Sequence, residues 1–258
     1  MDGLVRFGRI VFAVAMMCFG ALFMIYASWV GIVKPGPPWS TGYRWIAWIV
    51  AIAFFAVGVC FVLQWKGRTA ATLLGVALLW RALSAYLLGM LGHLRDPSRW
   101  TGGFELVALG GAALVLATNL PPDREGSAGA LDKFFAMGRY LFALALVVFG
   151  VQHFLYAGFI ATLIPAWIPG KLFWAYFVGV AFFAAALSIA TGKMARLAST
   201  LLGVMFLAWV VILHMPRVAA APHNGNEWTS EFIALAMGGA SFLMISAVSR
   251  DKAALTRA

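Results

Sequence analysis

Polar side chains are scarce in this 258-residue sequence, and those whose types could do chemistry gather in its C-terminal half. Gln152-His153 lies inside an apolar run. His214, Arg217, His223, Glu227, Trp228 and Glu231 lie in or beside the polar stretch from His214 to Phe232. A buried neutral imidazole donates to one partner and accepts from another, which suits a quinone carbonyl or a proton relay, and equally suits bonding between helices. Three imidazoles with carboxylates would also suit zinc or copper. However, the spacing matches no metal motif, and helix rise puts His153 about 10 Å deeper than His214. A ligand set spread over that depth does not close on an ion bound at ~2.0–2.1 Å to nitrogen. No metal is expected. Gln152, His153, His214, Arg217, Trp228 and Glu231 form the candidate binding set, and no residue is assigned as catalytic.

Two of these residues have plainer readings. Glu231 follows Thr229-Ser230, so it reads as a first-turn carboxylate favoured by the helix dipole, with either hydroxyl as cap. Trp228 reads as an aromatic anchor at a headgroup boundary. Outside this half, Arg81 falls near the middle of an apolar run, where a charge costs at least about 2.5–3.5 kcal/mol unless it faces protein or water. It is expected to clamp onto Glu105 one span later, a reach eased by snorkelling. Cys18 and Cys60 both sit in apolar runs with no CxxC pair, which argues against thiol-disulfide chemistry.

The elements that must hold these residues are membrane spans. Hydrophobic residues make up 63% of the chain and charged residues 11%, far from the balance of a soluble domain. Apolar runs of about 18 or more residues recur, each long enough to cross ~30 Å of hydrocarbon. Spans are expected at about residues 10–33, 46–63, 70–91, 104–117, 139–160, 173–190, 197–213 and 231–248. The fold class is therefore all-α, a polytopic membrane protein of about eight transmembrane helices.

A displacement of 128 residues brings Trp100-Thr101 onto Trp228-Thr229, Phe104 onto Phe232, Arg68 onto Arg196 and Gly110-Gly111 onto Gly238-Gly239. Pro37 and Trp39 likewise meet Pro165 and Trp167, the candidate lid loops. So many matches at one offset indicate tandem duplication. Four spans per half make the repeats parallel. Residues 1–119 form the first four-helix repeat, 120–138 a Pro-, Gly- and charge-rich linker, and 139–258 the second repeat.

The net charge of +10 comes from single or paired basic residues at the ends of apolar runs, not from a stripe, so no nucleic-acid partner is implied. Arg6, Arg9, Lys66, Arg68, Arg124, Lys133, Arg139, Lys193, Arg196, Arg250, Lys252 and Arg257 fall on one side of the spans. Only Lys34, Arg44, Arg95, Arg99, Lys171 and Arg217 fall on the other. The positive-inside rule then places both termini in the cytoplasm of a bacterial inner membrane, with lipid as the immediate partner.

The helix start at Arg139, the FGVQHF run at Phe149 to Phe154, the proline-aromatic loop at Ile164 to Gly170 and the HMPR…NGNEWTS closing stretch resemble the DoxX-like family of bacterial membrane proteins. The first half keeps the frame but has Phe23 for His153, Tyr86 for His214 and Asp96 for Asn224. The resemblance implies a four-helix unit and association with quinone-linked redox complexes. The expected function is a subunit or accessory of such a system, binding a quinone-like or other apolar molecule near the outer leaflet, with membrane redox proteins as partners. A lipid or small-molecule transporter and a non-enzymatic scaffold remain the alternatives, and the sequence does not decide whether the chain is an enzyme.

Overall fold

In hydrocarbon every backbone polar group must be satisfied within its own segment, so apolar runs of this length fold as helices. A computed structural model describes residues 2–26, 44–87, 92, 96–122 and 132–255. Its helices are α1 (Gly3–Tyr26), α2 (Arg44–Leu63), α3 (Gly67–Arg81), α4 (Pro97–Asn119), α5 (Asp132–Leu155), α6 (Ala157–Leu163), α7 (Lys171–Thr191), α8 (Ala195–Trp209), α9 (Met215–Ala220) and α10 (Gly225–Leu255). There is no strand among the described residues. Eight helical stretches are long and apolar enough to cross a membrane, as the sequence indicates. Most of the first Pro-Trp loop, His93, Arg95 and residues 123–131 of the linker lie outside the described residues.

Several helices start earlier than their apolar character suggests. The fourth begins at Pro97, not Phe104, because Asp96 caps it by accepting from the Ser98 N–H at 3.0 Å. The fifth begins at Asp132 rather than Arg139. The eighth begins at Gly225, where Asn224 accepts from the Asn226 N–H at 3.0 Å. Thr229 and Ser230 therefore do not cap. Their hydroxyls donate back to the Gly225 and Asn226 carbonyls, at 2.7 and 3.0 Å, one turn earlier in the same helix. Glu231 consequently lies in the second turn, and Glu227 holds the first. Most of the stretch expected as a polar loop is thus helical.

Helices α3 and α8 each lose α-helical register at their ends and continue as π-helical segments, Ala82–Leu87 and Val210–His214. These begin 128 residues apart although ALSAYL and VVILH share little. A π-segment widens one turn and re-aims the side chains beyond it. In α8 that change delivers His214.

Helices α4 and α10 form the middle of the bundle: 78% of the α4 span is buried against 22% of the span containing α8. Helix α1 packs on α2 and α10, α5 packs on α7 and α4, α3 lies on α4, α8 lies on α10, and α4 touches α10. Two crossings are close enough to require glycine. A Cβ on Gly239 would come within 2.6 Å of the Phe12 nitrogen of α1, and one on Gly111 within 2.5 Å of the Gly138 carbonyl of α5. Small residues of this kind let helices associate in lipid, where no hydrophobic force drives them together.

Candidate functional site

The residues singled out by the sequence sit on three different contacts. The first is at the ends of α8 and α10 farthest from the chain's N-terminus. Beyond the π-segment, α9 opens on Pro216 and presents Arg217 to α10. Arg217 Nη2 donates to Glu227 Oε1 at 3.1 Å, and its Nε lies 2.9 Å from Oε2 in an ion-pair contact off the hydrogen-bond line. The Trp228 indole donates to the Pro222 carbonyl at 2.9 Å, closing the Ala221–Asn224 turn. Trp228 also packs on Phe232, which meets Phe19 of α1 edge-on at 6.1 Å.

The Arg217–Glu227 pair fixes the register of the two helices. Stepping inward from it, His214 lies three residues back on one helix and Glu231 four residues on along the other. At ~1.5 Å per residue these are drops of about 4.5 and 6 Å; His214 stays within electrostatic reach of Arg217 and Glu227, and Glu231 lies within reach of Cys18 on α1. Both are half-buried, and His214 Nδ1 and Glu231 Oε2 are buried without a hydrogen-bond partner. Buried polar atoms in native proteins are nearly always bonded, so each marks a place where a ligand group or water belongs.

The second contact holds His153. Its Nδ1 lies 2.8 Å from the Phe149 carbonyl one turn back, so Nδ1 carries the proton and Nε2 is the acceptor. The ring meets Phe182 edge-on at 5.1 Å, and Phe182 in turn touches Phe149, Phe206 and Trp209. This aromatic cluster joins α5, α7 and α8.

Gln152, the neighbouring residue, points to a third contact. Its Nε2 donates to Thr101 Oγ1 at 3.0 Å and to the Pro97 carbonyl at 3.2 Å, both on α4. The Thr101 hydroxyl lies 2.9 Å from the same Pro97 carbonyl and 3.3 Å from Gln152 Oε1. One hydroxyl proton serves one bond, and the shorter, to Pro97, is consistent with Thr101 accepting from Gln152. Gln152 thus links the two halves of the chain. Thr101 gave a signal in the sequence, since it repeats as Thr229, but nothing there pairs it with Gln152.

In the first half, Tyr86 stands where His214 stands in the second. Its ring lies over Gly102, where an added Cβ would come within 2.8 Å of Cε1. Tyr86 is within electrostatic reach of both Arg81 and Glu105, so the two residues of the expected clamp share this neighbour. At the start of α4, the Ser98 hydrogen bond, supported by Arg99 at 3.3 Å, holds the Asp96 carboxyl below the usual carboxylate range. Among the described residues no three His, Cys, Asp or Glu side chains are grouped closely enough to hold a metal ion.

A family model matches part of the second half. Residues 142–244 match the family described as a domain of unknown function (DUF8561), a stretch running from α5 into α10 and covering less than half the chain. No curated protein and no solved structure matches.

Proposed function

We propose that this chain is a multi-pass protein of a bacterial inner membrane whose second half holds a quinone-like molecule, as a subunit or accessory of a quinone-linked redox system. The observation that carries the ligand is the pair of unpartnered buried atoms, His214 Nδ1 at the end of the π-segment and Glu231 Oε2 in the second turn of α10. Together they offer a donor and an acceptor to a carbonyl or hydroxyl head group. The apolar remainder would lie against lipid-facing side chains, as suits a site between helices near a membrane surface. The resemblance to DoxX-like proteins supports the redox assignment, and the distribution of Lys and Arg supports cytoplasmic termini.

Two parallel repeats are part of this reading. Supporting them, α1–α10 and α5–α4 are equivalent contacts, as are α1–α2 and α5–α7, and α3–α4 and α8–α10. The π-segments match as well.

Purification in mild detergent followed by lipid extraction tests the ligand. A co-extracted quinone is expected, together with a rise in melting temperature on adding quinone that is lost in His214→Phe and reduced in Glu231→Gln. Wild-type protein with neither bound quinone nor a shift overturns the proposal.

A further inference from the structure

Arg9 and Arg139 stand at equivalent places, each about two turns into the first helix of its half, and they are 5% and 8% exposed. A guanidinium cannot shed its charge, so burial must be met by a counter-charge or a full set of acceptors. Arg139 finds help inside the protein. Its guanidinium carbon lies 4.4 Å from the centroid of the Tyr140 ring, and Nη2 bonds to the Tyr140 hydroxyl. The residue following Arg9 is Ile10, which offers neither ring nor hydroxyl. Arg9 Nε and Nη1 are buried with no hydrogen-bond partner.

The surroundings of Arg9 indicate what belongs there. Phe12 stacks on Phe61 of α2 at 6.1 Å, and a Cβ on Gly58 would come within 2.7 Å of the Ala13 carbonyl. The two helices run antiparallel, so one turn back from Phe12 puts Arg9 level with the turn after α2 that carries Lys66. Arg6 lies one turn from Arg9 on the same helix. Asp2, the carboxylate at this end of α1, is already held by Arg196. Positive charge is therefore concentrated at this level.

Depth identifies the source of an anion. Arg9 is six residues into a 24-residue helix, about 9 Å along a span of about 36 Å that must cross ~30 Å of hydrocarbon. Even with the whole ~6 Å excess of helix on this side, its backbone lies ~3 Å inside the hydrocarbon, a depth from which a long guanidinium side chain reaches headgroup phosphates. Phosphate matches the guanidinium fork and accepts several charge-assisted hydrogen bonds.

We propose that Arg9 is a phosphate-binding residue that holds the headgroup of an anionic phospholipid between α1 and the α2–α3 turn. The full chain in phosphatidylcholine nanodiscs, titrated with phosphatidylglycerol and followed by thermal shift and native mass spectrometry, tests this. Phosphatidylglycerol should raise the melting temperature and remain bound to the wild type. Arg9→Met should weaken this at least tenfold, Arg9→Lys less, and Arg6→Gln under threefold. Inorganic phosphate is a separate arm: an Arg9-dependent shift there supports a phosphate site filled from solution, and its absence supports the lipid as source. Equal response in wild type and Arg9→Met, or no response to either phosphate source, overturns the proposal. Should Arg9→Met not fold, Arg9→Lys decides: it keeps the charge but loses the fork, and unchanged affinity overturns the proposal.

Discussion

Residues 1–119 and 139–258 carry different side chains at positions that correspond in the sequence. Phe19, Phe23 and Phe54 form an apolar aromatic cluster in the first half, with Phe54 6.0 Å from Phe19 and 5.9 Å from Phe23. In the second half Phe149, His153 and Phe182 occupy the equivalent positions, and one ring has become an imidazole. Tyr86 over Gly102 corresponds to His214, and Arg81 to Trp209. The glycine crossings and the π-segments are common to both halves. Among the polar atoms left without hydrogen-bond partners in the second half, His214 Nδ1 and Glu231 Oε2 belong to residues that correspond in the sequence to Tyr86 and Gly103.

The frame is the easiest part of the comparison to break. Gly111→Leu and Gly239→Leu each drive a side chain into the backbone of the crossing helix. Each should cost about 3 kcal/mol or more, the upper end of overpacking, and should lower the melting temperature in detergent by similar amounts. A large loss at one site and tolerance at the other would show that the crossings are not equivalent.

A smaller effect is expected at the ends of α8 and α10 farthest from the chain's N-terminus. Arg217 and Glu227 are 32% and 19% exposed, so water screens their attraction only in part. Arg217→Met should cost about 1–2 kcal/mol, below the range for fully buried pairs. Adding Glu227→Gln should recover part of it, because the orphaned carboxylate is then neutral. Strictly additive losses in a double-mutant cycle would mean that the pair does not set the register of α8 and α10.

The bond between the halves is weaker again. Gln152→Leu removes the donor to Thr101 and Pro97, a net loss of about 1 kcal/mol. The Thr101 hydroxyl keeps its own bond to Pro97, so no buried donor is stranded. Thr101→Val combined with Gln152→Leu also removes that bond, so it should cost up to about 1 kcal/mol more than Gln152→Leu alone, as measured by chemical or thermal unfolding.

The sequence made the spans legible because twenty apolar residues in a row have one structural solution. It located the ends of those spans poorly for a physical reason. The first turns of α4 and α10, PSRWTGG and GNEWTSE, are polar, and hydropathy stops where they begin. The caps Asp96-Pro97-Ser98 and Asn224-Gly225-Asn226 mark both starts, and reading them in preference to the apolar run would have placed α4 and α10 correctly. The π-segments left no trace, since ALSAYL and VVILH differ and a π-turn depends on what packs around it. Gln152 and His153 were legible as polar residues costly to bury. Their opposite facings, one toward α4 and the other toward α7, required the angle between successive helical residues and the identity of each neighbouring helix.

The smallest expected effect concerns how each half ties down its equivalent arginine on the side of the chain's N-terminus. Arg196 pairs with Asp2, whereas Arg68, 128 residues earlier, lies over the Phe135 ring at 5.2 Å. The first interaction depends on a carboxylate and the second does not. The hydrogen bond from Arg196, followed by that from the Leu4 N–H, holds the Asp2 carboxyl below its ordinary value. A lowered folded-state pKa means that the pair adds stability above about pH 3.9, the unfolded carboxylate value, and loses it as pH falls through the lowered folded value. Arg196 is 62% exposed and Asp2 31%, so solvent and salt reduce the contribution to between about 0 and 1 kcal/mol. Asp2→Asn should therefore lower the melting temperature slightly at pH 7 in low salt, and the difference from wild type should fade as pH falls through the lowered Asp2 value or in molar salt. Phe135→Leu, which weakens the cation–π contact, should give a difference of similar size that persists at pH 3. If both differences fade together with acid, the two halves hold these arginines by the same means, and the contrast drawn between them here fails.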